Sequence, residues 1–185
     1  VRKLRQVRVF SRRPEAREGF AEQAHQTLDL DVRASVSLEE AVDGASIVTL
    51  ITNATAPFLT PAMVAPGTHI NAMGAIVPAR IEFTQGVFDR CAMVVVDTIV
   101  GVRNLSAEFR ERYGEDDAAW SDVLPISKVL ADGLVRPEGC DLTLFKAMGM
   151  GISDLALGIE ILARAEAQGR GTTLPERVRA PPRLR

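Results

Sequence analysis

Short runs of β-branched and apolar residues alternate with longer amphipathic stretches along most of this chain. The runs cover Val7–Phe10, Val32–Val36, Ile47–Ile51, Thr68–Met73, Met93–Val96 and Asp141–Phe145. Stretches with helical spacing lie between and after them, such as Pro14–Leu28 and Gly151–Gln168. This alternation is typical of βαβ units around a mostly parallel sheet. The sequence therefore predicts an α/β fold with helices on both faces of the sheet.

Local signals mark where some of these elements begin and end. Pro14 suits the first turn of a helix, where no backbone N–H is needed. Ser37 and Glu40 have the spacing of a capping box, so a short helix is predicted to start after Ser37 and to end at Gly44. Ile47–Ile51 is apolar on both faces, which predicts a central strand that helices cover on both sides.

Polar residues or glycine follow three of the predicted strands. Thr52, Gly74 and Asp97 stand directly after the third, fourth and fifth runs or close to their ends. Ligands of open α/β sheets bind beyond the carboxyl ends of the strands. These strand ends therefore predict one shared crevice at that edge of the sheet.

The chain lacks one feature of a complete nucleotide-binding sheet. In the Rossmann fold, the first strand leads into a Gly-x-Gly-x-x-Gly turn and a helix whose N-terminus holds a pyrophosphate. No such turn precedes a suitable helix in the 185 residues. Val7–Phe10, followed by Ser11-Arg12-Arg13, instead has the pattern of the second strand, which meets a ribose. We therefore expect a Rossmann-like, mostly parallel sheet that is incomplete, with its first βα unit missing.

Composition narrows the classes of function. With 46% hydrophobic residues among 185, the chain can bury one sizeable core, so we expect one main domain with an appendage. A net charge of −2, without a basic stripe interleaved with aromatic residues, argues against a nucleic-acid partner. Neither a long apolar run nor a signal-peptide pattern is present, so we expect a cytoplasmic protein with no membrane partner. Cys91 and Cys140 are isolated, and no metal site is predicted.

Several motifs resemble those of the ornithine cyclodeaminase/μ-crystallin family, and they occur in the same order. They are Val9–Arg12, Ser37–Val42, Ala45–Thr49, Pro66–Gly74, Val94–Asp97 and the closing motif Thr143–Leu155. The resemblance covers nearly the whole chain except the tail. Several motifs in the right order are much more specific than any one of them alone.

The resemblance implies an NAD(P)-dependent oxidoreductase or cyclodeaminase that acts on cyclic imines or amino acids, of the ornithine cyclodeaminase, ketimine reductase or alanine dehydrogenase type. It implies a partial NAD(P)-binding domain over residues 1–150, a C-terminal helix of the substrate and dimerisation domain over 151–170, a flexible tail over 171–185, and a homodimer. It leaves open the substrate, and whether the outcome is net redox or cyclodeamination.

Two alternatives to an active enzyme stay open. One is a non-catalytic μ-crystallin-like protein that binds a nucleotide or another small molecule, and the other is an inactive, truncated remnant. Both arise because the glycine-rich turn, and the basic residues that hold the substrate carboxylate in the family, are expected upstream of Val1. We therefore expect the 185-residue chain alone to bind a dinucleotide poorly.

Ser11, Arg12 and Arg13 are the predicted contacts of the cofactor's ribose. Folds that prefer NAD place an acidic residue after the second strand, whereas arginines there can neutralise the 2′-phosphate of NADP. The residues therefore favour NADP, with NAD as the alternative. The same arginines could instead be solvated residues before a helix, and the resemblance favours the cofactor role for Arg12 over Arg13.

The resemblance assigns further cofactor contacts to the end of the third strand. Thr52, Asn53 and Ala54 match the segment that passes the adenosine and pyrophosphate in family members. The alternative is an ordinary loop that ends a strand.

Two more segments match the family's contacts with the nicotinamide. Met73 and Gly74 form the first, and Gly74 permits close approach of the backbone to a planar ring, although a simple turn would also use glycine there. Met148 and Gly149 form the second. Ala147 stands where the family usually has a serine, which removes one hydrogen bond to the cofactor amide.

Glu82 is the predicted catalytic residue. A reductase of this class needs an acidic group to manage the imine nitrogen, and Glu82 aligns with the family's acidic residue after the Gly74 segment. A carboxylate at a helix start is the alternative. The family's glutamate in a later Glu-Ser-Gly-Asp motif is replaced, since the chain reads Leu105–Glu108 there. His69, among apolar strand residues, is interpreted as structural.

Overall fold

The computed structural model describes residues 3–175. The chain divides into two units, Val1–Gly149 and Met150–Arg185. Within the described residues, all strands lie in the first unit, and the second contains one helix. The predicted flexible tail lies outside the described residues from position 176 onward. None of the described helices is long and apolar enough to cross a membrane.

The first unit begins with a two-stranded parallel sheet and a long helix. Strand β1 (Val7–Val9) leads through helix α1 (Pro14–Leu28) to strand β2 (Val32–Ala34), which pairs with β1 in parallel. Pro14 stands in the first turn of α1, as predicted. Asp29 ends the helix in the left-handed conformation, with φ of 50°, which Asp tolerates better than most side chains.

Helix α2 (Leu38–Val42) has the predicted cap in a modified form. Ser37 Oγ accepts a hydrogen bond from the Glu40 N–H at 3.1 Å. The Glu40 carboxylate reaches one residue further back than in the usual box and accepts from the Val36 N–H at 2.7 Å. These bonds satisfy backbone donors that a helix start leaves without partners.

The other strands form a five-stranded parallel sheet in the order β3, β4, β7, β5, β6. They are β3 (Ile47–Leu50), β4 (His69–Ala72), β5 (Cys91–Val96), β6 (Val123–Pro125) and β7 (Leu142–Lys146). The last strand in the sequence is thus inserted at the centre of the sheet. The predicted α/β class with parallel sheets is confirmed.

Helices and 3₁₀ turns connect these strands. The helices are α3 (Ile99–Leu105), α4 (Ala107–Tyr113), α5 (Ile126–Ala131) and α6 (Gly151–Ala167), and the 3₁₀ turns are Pro61–Met63, Gln85–Arg90 and Asp117–Asp122. Helices α3 and α4 follow each other directly but are separate. They are separate because Ser106 between them has an extended backbone and directs its hydroxyl to Glu108.

Strand β3 differs from the prediction of a strand that is buried on both faces. Val48 and Leu50 are buried, but Ile47 and Thr49 are exposed. In the described part of the chain, β3 pairs with β4 alone and is therefore an edge strand. An edge strand that is covered on one face shows this alternation.

The core of the first unit lies against one face of the five-stranded sheet. One buried row crosses all five strands in register and consists of Val48, Ile70, Leu144, Val94 and Val123. An aromatic cluster, with ring centroids 5.0–6.3 Å apart, completes this core and consists of Phe83, Phe88, Phe109, Tyr113 and Trp120.

The second unit consists of helix α6 and the residues that follow it. Ile152, Leu155, Ile159 and Leu162 share one face of α6, and each is 60–72% exposed. The functions predicted for residues 1–150 and 151–170 stay predictions.

Candidate functional site

Four strand ends meet at the carboxyl edge of the five-stranded sheet. The pairing continues past the strands: the Met73 N–H donates to Leu50 O at 2.8 Å, the Ala147 N–H to Ala72 O at 3.2 Å, and the Asp97 N–H to the carbonyl of Lys146 at 3.1 Å. The segments after β3, β4, β7 and β5 therefore run side by side. This arrangement brings the residues predicted around Thr52, Gly74 and Met148 to one edge.

Glu82 joins two of these segments. Its side chain is fully buried. Oε1 accepts hydrogen bonds from the Thr52 N–H at 2.7 Å and the Thr52 hydroxyl at 2.8 Å. Oε2 accepts from the N–H groups of Gly74 at 3.0 Å and Ala75 at 3.1 Å. Both oxygens of the predicted catalytic carboxylate are thus engaged with the protein itself.

Gly74 is required by this close packing. A Cβ at this position would lie 2.2 Å from both the backbone N and O of Thr52 and 2.4 Å from Glu82 Oε1. Two of these three neighbours are backbone atoms, which cannot move aside cheaply. A planar ligand and a simple turn were the explanations expected from the sequence for this glycine, whereas its close neighbours in the structure are Thr52 and Glu82.

Asp97, which follows β5, holds the segment after β7 in a similar way. Its Oδ2 accepts from the N–H groups of Met148 and Gly149, both at 2.8 Å, and its Oδ1 accepts from the Thr98 N–H at 2.7 Å. Gly149 has φ of 87°, a conformation that glycine adopts readily. The sequence marked Asp97 only as a polar strand end. Its bond to Met148 depends on the pairing of β5 with β7, which the sequence did not predict.

Lys146, at the end of β7, is a functional candidate that the sequence analysis missed. Its side chain is fully buried, and Nζ donates to the carbonyl of Ala75 at 2.7 Å. Burial lowers the pKa of the Lys146 ammonium, and the negative charges of Glu108, Glu82 and Asp97 oppose that shift. A lysine within an apolar strand gives no sequence signal of this environment.

The electrostatics of this edge limit what it can bind. The N–H groups of Thr52, Gly74, Ala75, Met148 and Gly149 already donate to the carboxylates of Glu82 and Asp97. Those amides therefore do not form the cluster of open donors that holds a pyrophosphate. An anionic group that bound at this edge would need hydrogen-bond donors from elsewhere.

Ser11, Arg12 and Arg13 lie at the carboxyl end of β1, on the two-stranded sheet. Ser11 Oγ accepts from the Arg13 N–H at 3.3 Å, and Arg17 Nη1 donates to the Ser11 carbonyl at 3.1 Å. Arg12 and Arg13 are exposed, and neither forms an ion pair within residues 3–175. Both guanidinium groups can therefore approach a ligand without breaking an ion pair with those residues.

His69 and the two cysteines, which the sequence did not assign to the site, have contacts typical of structural residues. His69 Nδ1 lies 2.8 Å from Thr143 Oγ1, and its Nε2 lies 3.1 Å from Asn71 Oδ1. Cys91 and Cys140 are free thiols. In the part of the chain that the structure describes, no three His, Cys, Asp or Glu residues are grouped as metal ligands.

Residues 1–169 match the family model for the ornithine cyclodeaminase/mu-crystallin family. The chain belongs to this family. Among its curated relatives, the ketimine reductase mu-crystallin of Mus musculus is 33% identical over 153 residues, which are 82% of this chain and 45% of the relative. The family resemblance drawn from the motifs is thereby confirmed.

Two solved structures illustrate the shared fold. The Δ1-pyrroline-2-carboxylate reductase of Thermococcus litoralis, in complex with NADH and L-proline, matches with a TM-score of 0.80 and 24% identity over 92% of this chain and 53% of that one. An archaeal alanine dehydrogenase dimer with bound NAD matches with a TM-score of 0.78 and 22% identity, over 93% and 53%. The present chain thus spans about half the length of the relatives it matches.

Proposed function

We propose that this chain is part of an NAD(P)-dependent oxidoreductase or cyclodeaminase that acts on cyclic imines or amino acids. Family membership supports the reaction class, and the solved relatives with NADH or NAD support the cofactor. The observation that carries the proposal is the carboxyl edge of the five-stranded sheet. There Thr52–Ala54, Met73–Gly74 and Met148–Gly149 lie on adjacent segments.

Within this proposal, residues 1–150 form most of the NAD(P)-binding domain. In the described residues, β1 pairs only with β2 and β3 only with β4, so one flank of each strand is unpaired. A parallel strand between these flanks would join the two sheets, and a glycine-rich turn after it would supply the phosphate donors. We expect that unit to come from outside these 185 residues.

The dinucleotide would span the joined sheet. Thr52, Asn53 and Ala54 would pass its adenosine side, and the segments at Gly74 and Met148 would face the nicotinamide. Bound there, the cofactor would supply hydride transfer. Ser11, Arg12 and Arg13 would contact the ribose and favour NADP through the 2′-phosphate.

The exposed apolar stripe of α6 supports the assignment of residues 151–170 to a substrate and dimerisation domain. Four large aliphatic side chains on one helix face need a cover in the assembled protein. We propose that the complete protein is a cytoplasmic homodimer. Other segments of that protein would help to cover the apolar stripe of α6.

The decisive experiment compares this chain with a version extended upstream by the glycine-rich unit. Binding of NADPH and NADH is measured by calorimetry, and their consumption is measured with cyclic imines and with pyruvate plus ammonia. We expect turnover by the longer version and weak binding by the 185 residues alone. Binding without turnover of either substrate type would support the non-catalytic alternative, and micromolar binding by the short chain would disprove the need for the missing unit.

Arg12→Ala in the longer version tests the cofactor preference. Loss of a charged hydrogen bond to the 2′-phosphate should weaken NADPH by about 1–3 kcal/mol and leave NADH nearly unchanged. Arg13→Ala tests the second predicted contact in the same way, and Arg33→Ala, at an exposed arginine of β2 paired with Asp31, is the control and should weaken neither cofactor. An equal loss for both cofactors in Arg12→Ala would disprove the role of Arg12.

A further inference from the structure

The loop after β4 is held from both sides by two buried, oppositely charged side chains. Glu82 accepts from the N–H groups of Gly74 and Ala75, while Lys146 Nζ donates to the carbonyl of Ala75. Ala75 therefore has its N–H bound to a carboxylate and its C=O bound to an ammonium group. Charge-assisted hydrogen bonds are stronger than neutral ones, so this loop has little freedom to change its conformation.

The same carboxylate fixes the loop after β3. Its other oxygen receives both the N–H and the hydroxyl of Thr52. Thr52 itself is exposed, whereas the group that orients it is fully buried. One side chain therefore sets the relative position of the two loops that follow adjacent strands.

Glu82 is in turn held in place by a second layer of contacts. Its N–H donates to Glu108 Oε1 at 3.0 Å, and Ser106 Oγ donates to Glu108 Oε2 at 2.8 Å. Its carbonyl accepts from the N–H groups of Phe58 and Leu59 at 3.2 and 3.1 Å. Glu108 and Ser106 are also buried, so the backbone of Glu82 is held at both its N–H and its carbonyl within the core.

We infer that Glu82 and Lys146 are positioning residues of the dinucleotide site. They set the relative position of the Thr52 segment and the Gly74 segment, which pack directly against each other and along whose edge the cofactor would lie. This inference rests on the proposed function and assigns Glu82 a role other than contact with the reacting atoms. A fully buried carboxylate whose oxygens are filled by protein donors is suited to hold loops and has no exposed surface to offer a substrate.

Glu82→Gln is the sharpest variant, because it keeps the shape of the side chain. The three N–H groups around the carboxylate can only donate, and the Thr52 hydroxyl is the one neighbour able to accept. The amide NH₂ must therefore face Thr52, where it loses the bond from the Thr52 N–H, or face Gly74 and Ala75, where it loses both bonds. In either orientation at least one loop loses a hydrogen bond to residue 82.

Amide hydrogen exchange of the 185-residue chain tests this inference without any cofactor. In Glu82→Gln we expect exchange at Thr52, Gly74 or Ala75 to rise by roughly tenfold or more, as expected for loss of one charged hydrogen bond. Exchange at Met148 and Gly149, which Asp97 holds, should not change. Unchanged exchange at all three loop amides would overturn the inference.

The extended version of the protein tests the link to binding. Thr68→Ala is the control, because it removes the hydrogen bond from the hydroxyl of the buried Thr68 to the carbonyl of Ala45, outside the Glu82 network. We expect Glu82→Gln to raise the Kd of NADPH and NADH alike, by roughly tenfold, and Thr68→Ala to leave both unchanged even where it lowers stability equally. Equal Kd increases in both variants would overturn the positioning role.

The outcomes separate this inference from the proposed function. Absence of dinucleotide binding by the unsubstituted extended protein would disprove the function, while the exchange experiment would still decide the role of Glu82 in holding the loops. Should Glu82→Gln not fold, Thr52→Ala, at an exposed residue, removes the hydroxyl bond to Glu82 and the longer bond that the hydroxyl accepts from the Ala54 N–H at 3.3 Å. It must then raise exchange at position 52 several-fold, and no rise would overturn the inference.

Discussion

The two parallel sheets of the first unit differ in how much core supports them. Among residues 3–36, which include β1, α1 and β2, only Ala21 and Ser35 are buried. The five-stranded sheet carries the aromatic cluster and the buried charges of Glu82, Glu108 and Lys146. The residues proposed to select NADP thus lie on the thinly supported sheet, and those proposed to face the nicotinamide lie on the well-supported one.

The two sheets should therefore tolerate amino-acid substitution to different degrees. Exposed Arg12 and Arg13 should be replaceable with little effect on packing, so the proposed preference for NADP can be tested without loss of the fold. The loops at Thr52 and Gly74 are coupled to the core through Glu82, so a change there alters stability and site geometry together.

Removal of one aromatic ring from each region should show the largest contrast. Phe109→Ala, at a fully buried ring of the aromatic cluster, should lower the free energy of unfolding by about 3–5 kcal/mol. Phe20→Ala, at a ring on α1 that is 56% exposed, should change it by roughly 0.5 kcal/mol or less. Urea unfolding followed by circular dichroism and by the single Trp120 measures both. Similar losses would show that the two regions are equally supported.

Replacing one glycine by alanine in each region should change the free energy of unfolding in opposite directions. Gly74→Ala places a methyl group 2.2 Å from the Thr52 backbone, and we expect a loss of at least about 1–3 kcal/mol. Gly19→Ala in α1 has no atom within 4 Å of the added methyl group and should stabilise the protein by about 0.5–1 kcal/mol. Thermal and urea unfolding check both signs. A neutral Gly74→Ala would contradict the close packing of the two loops.

Asp97→Asn should have a moderate effect. Its three described partners are N–H donors, so the amide NH₂ must face at least one of them, which costs about 1–3 kcal/mol. Asp89→Asn, at the exposed ion pair with Arg112, is the control and should cost about 1 kcal/mol or less. The free energies of unfolding of both variants, together with hydrogen exchange at Met148 and Gly149, test this expectation. Protection of those two amides in Asp97→Asn as strong as in the parent protein would be the contrary result.

The thiol of Cys91, at the start of β5, should show the smallest effect, confined to alkaline pH. Burial raises its pKa from 9.0 to about 12. Because the folded state retains the proton, its contribution to stability is full below pH 9 and is lost as the pH rises from 9 to about 12. In a Cys140→Ser background, iodoacetamide should modify folded protein far more slowly than urea-unfolded protein at pH 9. Equal rates would show that Cys91 is not buried in solution.

Periodicity and capping signals located most elements of the fold. The bounds of α1 match the predicted Pro14–Leu28, and α6 ends one residue before the predicted Gln168. The predicted strand bounds differ from the observed ones by one or two residues, because a strand ends where its hydrogen-bonded neighbouring strand ends. The short strand β6 was missed, because three residues carry too little periodicity.

The candidate site was predicted only as a set of segments. Thr52, Gly74 and Met148 were found because polar residues and glycine at strand ends, and the family motifs, mark them. The roles of Asp97 and Lys146 were not found. Each depends on a partner about 50 or 70 residues away in the sequence, and such pairs follow from strand order.

Local periodicity and motif order were enough to predict the α/β class, the family and the strand ends that form the edge. The folded chain was needed to show that β7 lies between β4 and β5, that β3 is an edge strand in the described chain, and that Glu82 is buried against Thr52 and Gly74. The physical reason is that local patterns specify which face of an element is apolar, whereas the partners of a buried charge depend on which strands become neighbours.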